Sequence, residues 1–129
     1  MGMKRTLALG IVGILFIAIA LLIASCSPMR SETSIRASLL KHTPVGSSAS
    51  EVRAFAEKKG WLDQTYAGTN LGFYKQEPGE PPYPVGVSSL RGDLGHYYLP
   101  FRTDVAAFWG FDTNGRLIDV WVWKETDAP

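Results

Sequence analysis

The chain has 129 residues, with 13 Lys and Arg against 12 Asp and Glu for a formal net charge of +1. That length holds one small domain, and so balanced a charge argues against a nucleic-acid partner or a basic membrane-binding patch. One cysteine among 129 residues excludes an intramolecular disulfide and a thiolate metal site, so an apolar core rich in Trp, Tyr and Phe has to hold the fold.

The N-terminus is basic from Met1 to Arg5, and the uncharged apolar run Leu7 to Ala24 follows. A basic start, an apolar stretch and small residues at its end make a secretory signal, spanning residues 1–25. The run closes on Leu22-Ile23-Ala24-Ser25-Cys26-Ser27. An aliphatic residue, two small ones and a cysteine resemble the lipobox of bacterial lipoproteins. The resemblance implies a diacylglycerol on the Cys26 sulfur, cleavage between Ser25 and Cys26, and acylation of the new amine by a palmitate-type chain. A thiol suits this because its thiolate is the nucleophile that forms a thioether near neutral pH. Each buried CH₂ contributes roughly 0.8 kcal/mol, so two or three chains hold a protein firmly on a membrane. The alternative is an uncleaved membrane-spanning helix, for which this run is at the short limit. Ser27 after the cysteine, rather than Asp, fits sorting to the outer membrane. Without Lys4 and Arg5, 11 basic residues face 12 acidic ones and the net charge becomes −1.

Residues 26–33 read as the lipidated cysteine and a polar tether, and 34–125 as one domain. A first helix is expected over Ile35 to His42, capped by Thr33 or Ser34 and stopped by Pro44. Ser48 and Glu51 form a capping box ahead of a second helix, about Ala49 to Lys59, with Val52, Phe55 and Ala56 on one face and Gly60 past its end. Gly68 to Gln76 is a candidate strand. Pro78, Pro81, Pro82 and Pro84 make Glu77 to Val85 a loop. Val85 to Leu90 reads as a short edge strand, and His96 to Phe101 as another strand. The clearest hairpin joins Val105–Phe111 to Arg116–Trp123 through Asn114-Gly115. The last strand is apolar on both faces, which predicts a central position. Residues 126–129 are a polar tail. Two N-terminal helices packed on one face of a small antiparallel sheet of three to four strands, in the order α-α-β-β-β, make the class α+β.

Nothing in the chain spells out a catalytic centre. His42 and His96 are the only histidines, and neither has a partner at metal-ligand spacing, so no metal or other cofactor is expected. Asp93, His96 and Ser88 or Ser89 contain the residue types of a triad, but without a Gly-x-Ser-x-Gly elbow. Gly86 to Gly95 lacks the spacing and lysine of a phosphate-binding loop. The aromatic surplus is the better clue. Strand alternation groups Trp109, Phe111, Trp121 and Trp123 on one face of the last hairpin, with Asp119 among them as either a solvated group or a partner-facing carboxylate. Exposed Trp mark interfaces.

Gly46-x-Ser48-x-x-Glu51-Val52 and Phe111-Asp112-x-Asn114-Gly115-Arg116-Leu117 together resemble the small outer-membrane lipoproteins of the BamE (SmpA/OmlA) family. The first stretch matches that family's capped helix and the second its closing hairpin. The resemblance implies an α-α-β-β-β domain anchored in the outer membrane, facing the periplasm and acting through protein contacts. The expectation is a non-enzymatic envelope lipoprotein that binds other envelope proteins, as an accessory factor in outer-membrane protein assembly or envelope integrity. The alternative is a periplasmic inhibitor or immunity lipoprotein acting against a toxin or lytic enzyme, with Glu77 to Pro84 as its presenting loop.

Overall fold

The computed structural model describes residues 28–62 and 70–127. Among the described residues, two helices, α1 (Glu32–His42) and α2 (Ala49–Lys58), precede five strands: β1 (Phe73–Lys75), β2 (Tyr83–Val85), β3 (Ser88–Tyr98), β4 (Arg102–Phe111) and β5 (Leu117–Thr126). The strands form two sheets, a three-stranded meander β3-β4-β5 and a separate two-stranded hairpin β1-β2. Among the described residues, no helix is long and apolar enough to cross a membrane. Residues 1–25, Cys26 and the start of the expected strand at Gly68 lie outside the described residues.

The helices start where local chemistry allows. The α2 capping box is complete: Glu51 N–H donates to Ser48 Oγ at 3.2 Å, and Ser48 N–H donates to Glu51 Oε2 at 3.3 Å. Helix α1 begins a turn earlier than its apolar pattern suggests, because Ser31 rather than Thr33 or Ser34 caps it, accepting from Ser34 N–H at 3.1 Å. The expected tether therefore contains the cap and first turn of α1, and β5 runs to Thr126, into the expected tail.

The core lies between the helices and one face of the meander. Ile35 and Leu39 of α1 and Val52 and Ala56 of α2 pack with Leu90, Val105, Ala107, Trp109, Phe111, Leu117, Val120 and Val122. Trp109 is wholly buried and fits only because position 92 is glycine. A Cβ there would stand 2.8 Å from the indole Cζ3. The Asn114-Gly115 hairpin is present, but only Gly115 takes a positive φ, +71°. Asp112 Oδ1 shapes the rest of the loop by accepting from Asn114 N–H and Arg116 N–H.

The expected single sheet of three to four strands is wrong. The described residues form five strands in two sheets, because the meander is apolar on both faces and needs two covers. Helices cover one face, and β1-β2 folds over part of the other, with Phe73 tilted against Phe108 and stacked on Trp121. The hairpin can approach because position 110 is glycine: a Cβ there would lie 2.9 Å from Phe73 Cε1 and 3.0 Å from Val85 Cγ1. β2 forms inside the expected proline loop, with Pro84 opposite Tyr74 in a strand that has one neighbour and needs no second donor row. The two short strands expected around Gly92 and Gly95 are one strand, β3, interrupted by a bulge at Leu94 where Gly95 takes φ +118°.

The last strand is an edge strand, not a central one. Its doubly apolar pattern is tolerated because other segments cover its open side. The backbone between the helices bonds to its start, Gly46 N–H to the Leu117 carbonyl and Leu117 N–H to the Ser47 carbonyl, both at 2.8 Å. Farther along, Arg36 Nε donates to the Val120 carbonyl at 2.8 Å. An irregularity between Gly110 and Phe111 in the β4-β5 pairing leaves Ile118 as an extra, exposed residue.

Candidate functional site: an aromatic cleft on the outer sheet face

Cross-strand pairing decides which aromatics meet. Phe108 stands opposite Trp121, and Trp109 stands opposite Val120. Side chains of directly opposed residues share a face, so Phe108 and Trp121 point away from the helices while Trp109 points into the core. Trp121 and Trp123 stack at 6.2 Å between centroids, and Phe108 lies 5.5 Å from Trp121. Phe73 of β1 closes one side of this cluster at 5.9 Å from Phe108 and 6.1 Å from Trp121.

The cluster floors an open cleft of about 780 Å³ between the outer sheet face and the β1-β2 hairpin. Leu71, Tyr74 and Val87, all exposed, are among its walls. Ser89 Oγ donates to the Leu71 carbonyl at 2.8 Å and ties the segment before β1 to β3. The Arg91 guanidinium lies 5.6 Å from the Phe108 ring centroid and brings a cation to a largely apolar lining. Broad aromatic surface with a few polar groups suits an apolar or aromatic side chain of a partner.

Asp119 sits beside this cluster, opposite Gly110. Its Oδ1 accepts from Arg36 Nη2 at 2.6 Å and from Val120 N–H at 2.8 Å, and Lys75 Nζ is 3.3 Å from its Oδ2. Lys75 also meets Glu77 Oε1 at 3.3 Å. Burial opposes the charge on Asp119, but the hydrogen bonds from Arg36 and Val120 and the field of Lys75 outweigh it and hold the carboxyl below its ordinary value. Burial likewise opposes the charge on Lys75, yet Asp119 and Glu77 raise its pKa above the ordinary lysine value. This carboxylate links α1, the meander and the outer hairpin, and both of its oxygens are engaged within the chain.

Of the residues expected on one aromatic face, the structure brings together Trp121 and Trp123, with Asp119 at their side, and sends Trp109 and Phe111 into the core on the opposite face. What separates them is the register after the turn. The loop closes with Phe111 opposite Leu117, and the extra residue Ile118 then sets Trp109 opposite Val120 and Phe108 opposite Trp121. Odd positions of β4 therefore share a face with even positions of β5. Phe73 and Arg91 carry no sequence signal for this site, because they arrive through the outer hairpin and through β3. Ser25 and Cys26 lie outside the described residues.

The triad residue types do not converge. Ser88 and Ser89 stand near one end of β3 and His96 near the other, roughly 20–25 Å apart at the usual strand rise. His42 is on α1, stacked on Phe55 at 5.3 Å. Among the described residues, no three His, Cys, Asp or Glu side chains gather as a metal site. No known protein family, curated protein or solved structure matches this chain.

Proposed function

We propose that this protein is a non-enzymatic lipoprotein of the bacterial envelope, held on the membrane by lipid on Cys26, whose aromatic cleft binds another envelope protein. The observation that carries the binding part is the open cleft beside Trp121 and the half-exposed Trp123. This apolar surface remains after the outer hairpin has covered its share of the sheet. The lipobox carries the anchoring part. The resemblance to the BamE family adds a role as accessory factor in outer-membrane protein assembly, on the periplasmic side of the outer membrane.

The test is photocrosslinking in growing cells, with benzoylphenylalanine replacing Trp123 in the full-length chain. One discrete protein adduct is expected, and its identity separates a barrel-assembly subunit from a secreted toxin or lytic enzyme. The same probe at Ile118, which is exposed but outside the cleft, should give no such adduct. Lipid adducts alone, or equal labelling from both positions, would remove the cleft as a protein-binding site.

A further inference from the structure

The geometry points to a second membrane contact: the turn between β3 and β4, Tyr98-Leu99-Pro100-Phe101, dips into the lipid surface beside the anchor. This rests on the reading of Cys26 as the anchored residue. The turn is apolar at its tip and exposed, with Leu99 at 70%, Tyr98 at 63% and Phe101 at 42% of full accessibility. A hairpin turn between solvated strands ordinarily carries polar residues, Gly, Asn, Asp or Ser. Three large apolar side chains in four residues form an exposed apolar cluster.

The occupant follows from where the chain enters the domain. Pro28 Cγ lies 3.9 Å from the position a Cβ on Gly95 would take, three residues before Tyr98 in β3. At the usual rise, three residues of strand cover about 10 Å, and the two residues from Pro28 back to Cys26 reach at most about 7 Å. Pro28, where the described chain begins two residues after Cys26, and the apolar turn therefore share one end of the molecule. Lys124 Nζ donates to the Arg30 carbonyl at 2.6 Å and fixes the entering chain at that level of the sheet. Met29, next to Pro28, adds another exposed apolar side chain there.

Charge at this end is mixed. Arg102 pairs with Asp104 at 3.0 Å, and Glu125 and Asp127 lie close by in sequence to Lys124. The contact is consequently apolar insertion at the boundary of headgroups and acyl chains, about 5–10 Å deep, rather than attraction to anionic lipid. It would fix the orientation of the domain, with the β4-β5 turn and the segment between the helices at the far end, away from the bilayer.

The test uses the full chain purified from its own membranes and reconstituted into vesicles of zwitterionic phosphatidylcholine. The probes are Leu99→Trp and, at the opposite end, Val45→Trp, which is equally apolar and 65% exposed in the parent. Bromine placed near the carbonyl end of the acyl chains quenches an indole that reaches them. Loss of emission beyond that of the parent is expected for Leu99→Trp and not for Val45→Trp, without dependence on added salt. If Leu99→Trp fails to give the parent circular dichroism, Phe101→Trp reads the same turn. Vesicle flotation with equal quenching at both ends would overturn this inference and leave the anchor standing. Failure to float would overturn the anchor and this contact together.

Discussion

The indole Nε1 of Trp109 donates a hydrogen bond to Thr43 Oγ1 at 3.2 Å, and Thr43 Oγ1 donates in turn to the Leu39 carbonyl at 2.7 Å. Thr43 is the C-cap of α1, so this two-bond relay fixes the end of the first helix to the C-terminal part of the central strand. Both residues are buried, and a buried donor left without a partner is destabilised by about 1–3 kcal/mol. Thr43→Val keeps the shape and removes the acceptor, so it should lose stability of that order. Thr43→Ser should retain most of it. Urea midpoints for the two variants, with unchanged m-values, check the relay.

Ser48 and Gly115 meet where the second helix leaves the sheet, with Ala49 N–H donating to the Gly115 carbonyl at 2.9 Å. Ser48→Ala should lower stability by about 0.5–2 kcal/mol, the usual loss for an N-cap. Gly115→Val should lower it further, since a β-branched side chain resists φ +71°. An unchanged midpoint for Ser48→Ala would remove the capping box from the stability argument.

Local chemistry was the part of this fold most legible in the sequence. Ser48 with Glu51, the Val52-Phe55-Ala56 spacing and Asn114-Gly115 each act within a few residues, and each element formed where those signals placed it. What failed depended on contacts between distant segments. Gly92 and Gly95 look like loop residues, yet one makes room for Trp109 and the other forms a bulge within a continuous strand. Pro84 looks like a strand breaker, but an edge strand tolerates it. Only half of the candidate site was legible: Trp121 and Trp123 stood out by type, but Phe73, Phe108 and Arg91 join them through pairing and hairpin packing. Asp119 looked out of place among aromatics because its partners, Arg36 and Lys75, are far away in sequence.

That carboxylate should make stability depend on pH at both extremes. The folded pKa of Asp119 lies below its ordinary 3.8, so its contribution is present above 3.8 and is lost as pH falls through the lower folded value. The folded pKa of Lys75 lies above its ordinary 10.5, so its contribution is complete below 10.5 and is lost as pH rises through the folded value. Asp119→Asn should therefore be less stable than the parent at neutral pH, with the difference narrowing towards both ends. A difference that stays constant from acid to alkali, in denaturant titrations at fixed ionic strength, would mean that Asp119 acts by shape and not by charge.

Cys26→Ser tests the anchor separately from the domain. The lipobox resemblance predicts that this variant loses its lipid and leaves the membrane fraction, while the domain keeps its circular dichroism and melting profile. Fractionation with mass spectrometry of the N-terminus reads both outcomes. An N-terminus starting at Met1, without lipid and still in the membrane fraction, would identify an uncleaved spanning helix instead.

The two faces of the meander make opposite predictions for residues of the same type. Trp109 has no exposed surface, packs over Gly92 and completes the relay to Thr43, so Trp109→Ala should lose about 3–5 kcal/mol of folding stability. Trp123 is 37% exposed at the rim of the cleft and stacks only on Trp121 among the described rings, so Trp123→Ala should lose much less. If the cleft is a binding surface, that same truncation should weaken association by more than about 2 kcal/mol, as interface tryptophans do at a hot spot. Thermal stability and photocrosslinking yield, read on the same variants with the probe moved to Tyr74, separate the two effects. Loss of stability at Trp109 with loss of adduct at Trp123 is the expected pattern. A loss of several kcal/mol at Trp123, comparable to that at Trp109, would mean that the outer aromatics serve to hold the β1-β2 hairpin against the sheet, and the cleft would lose its claim as the partner site.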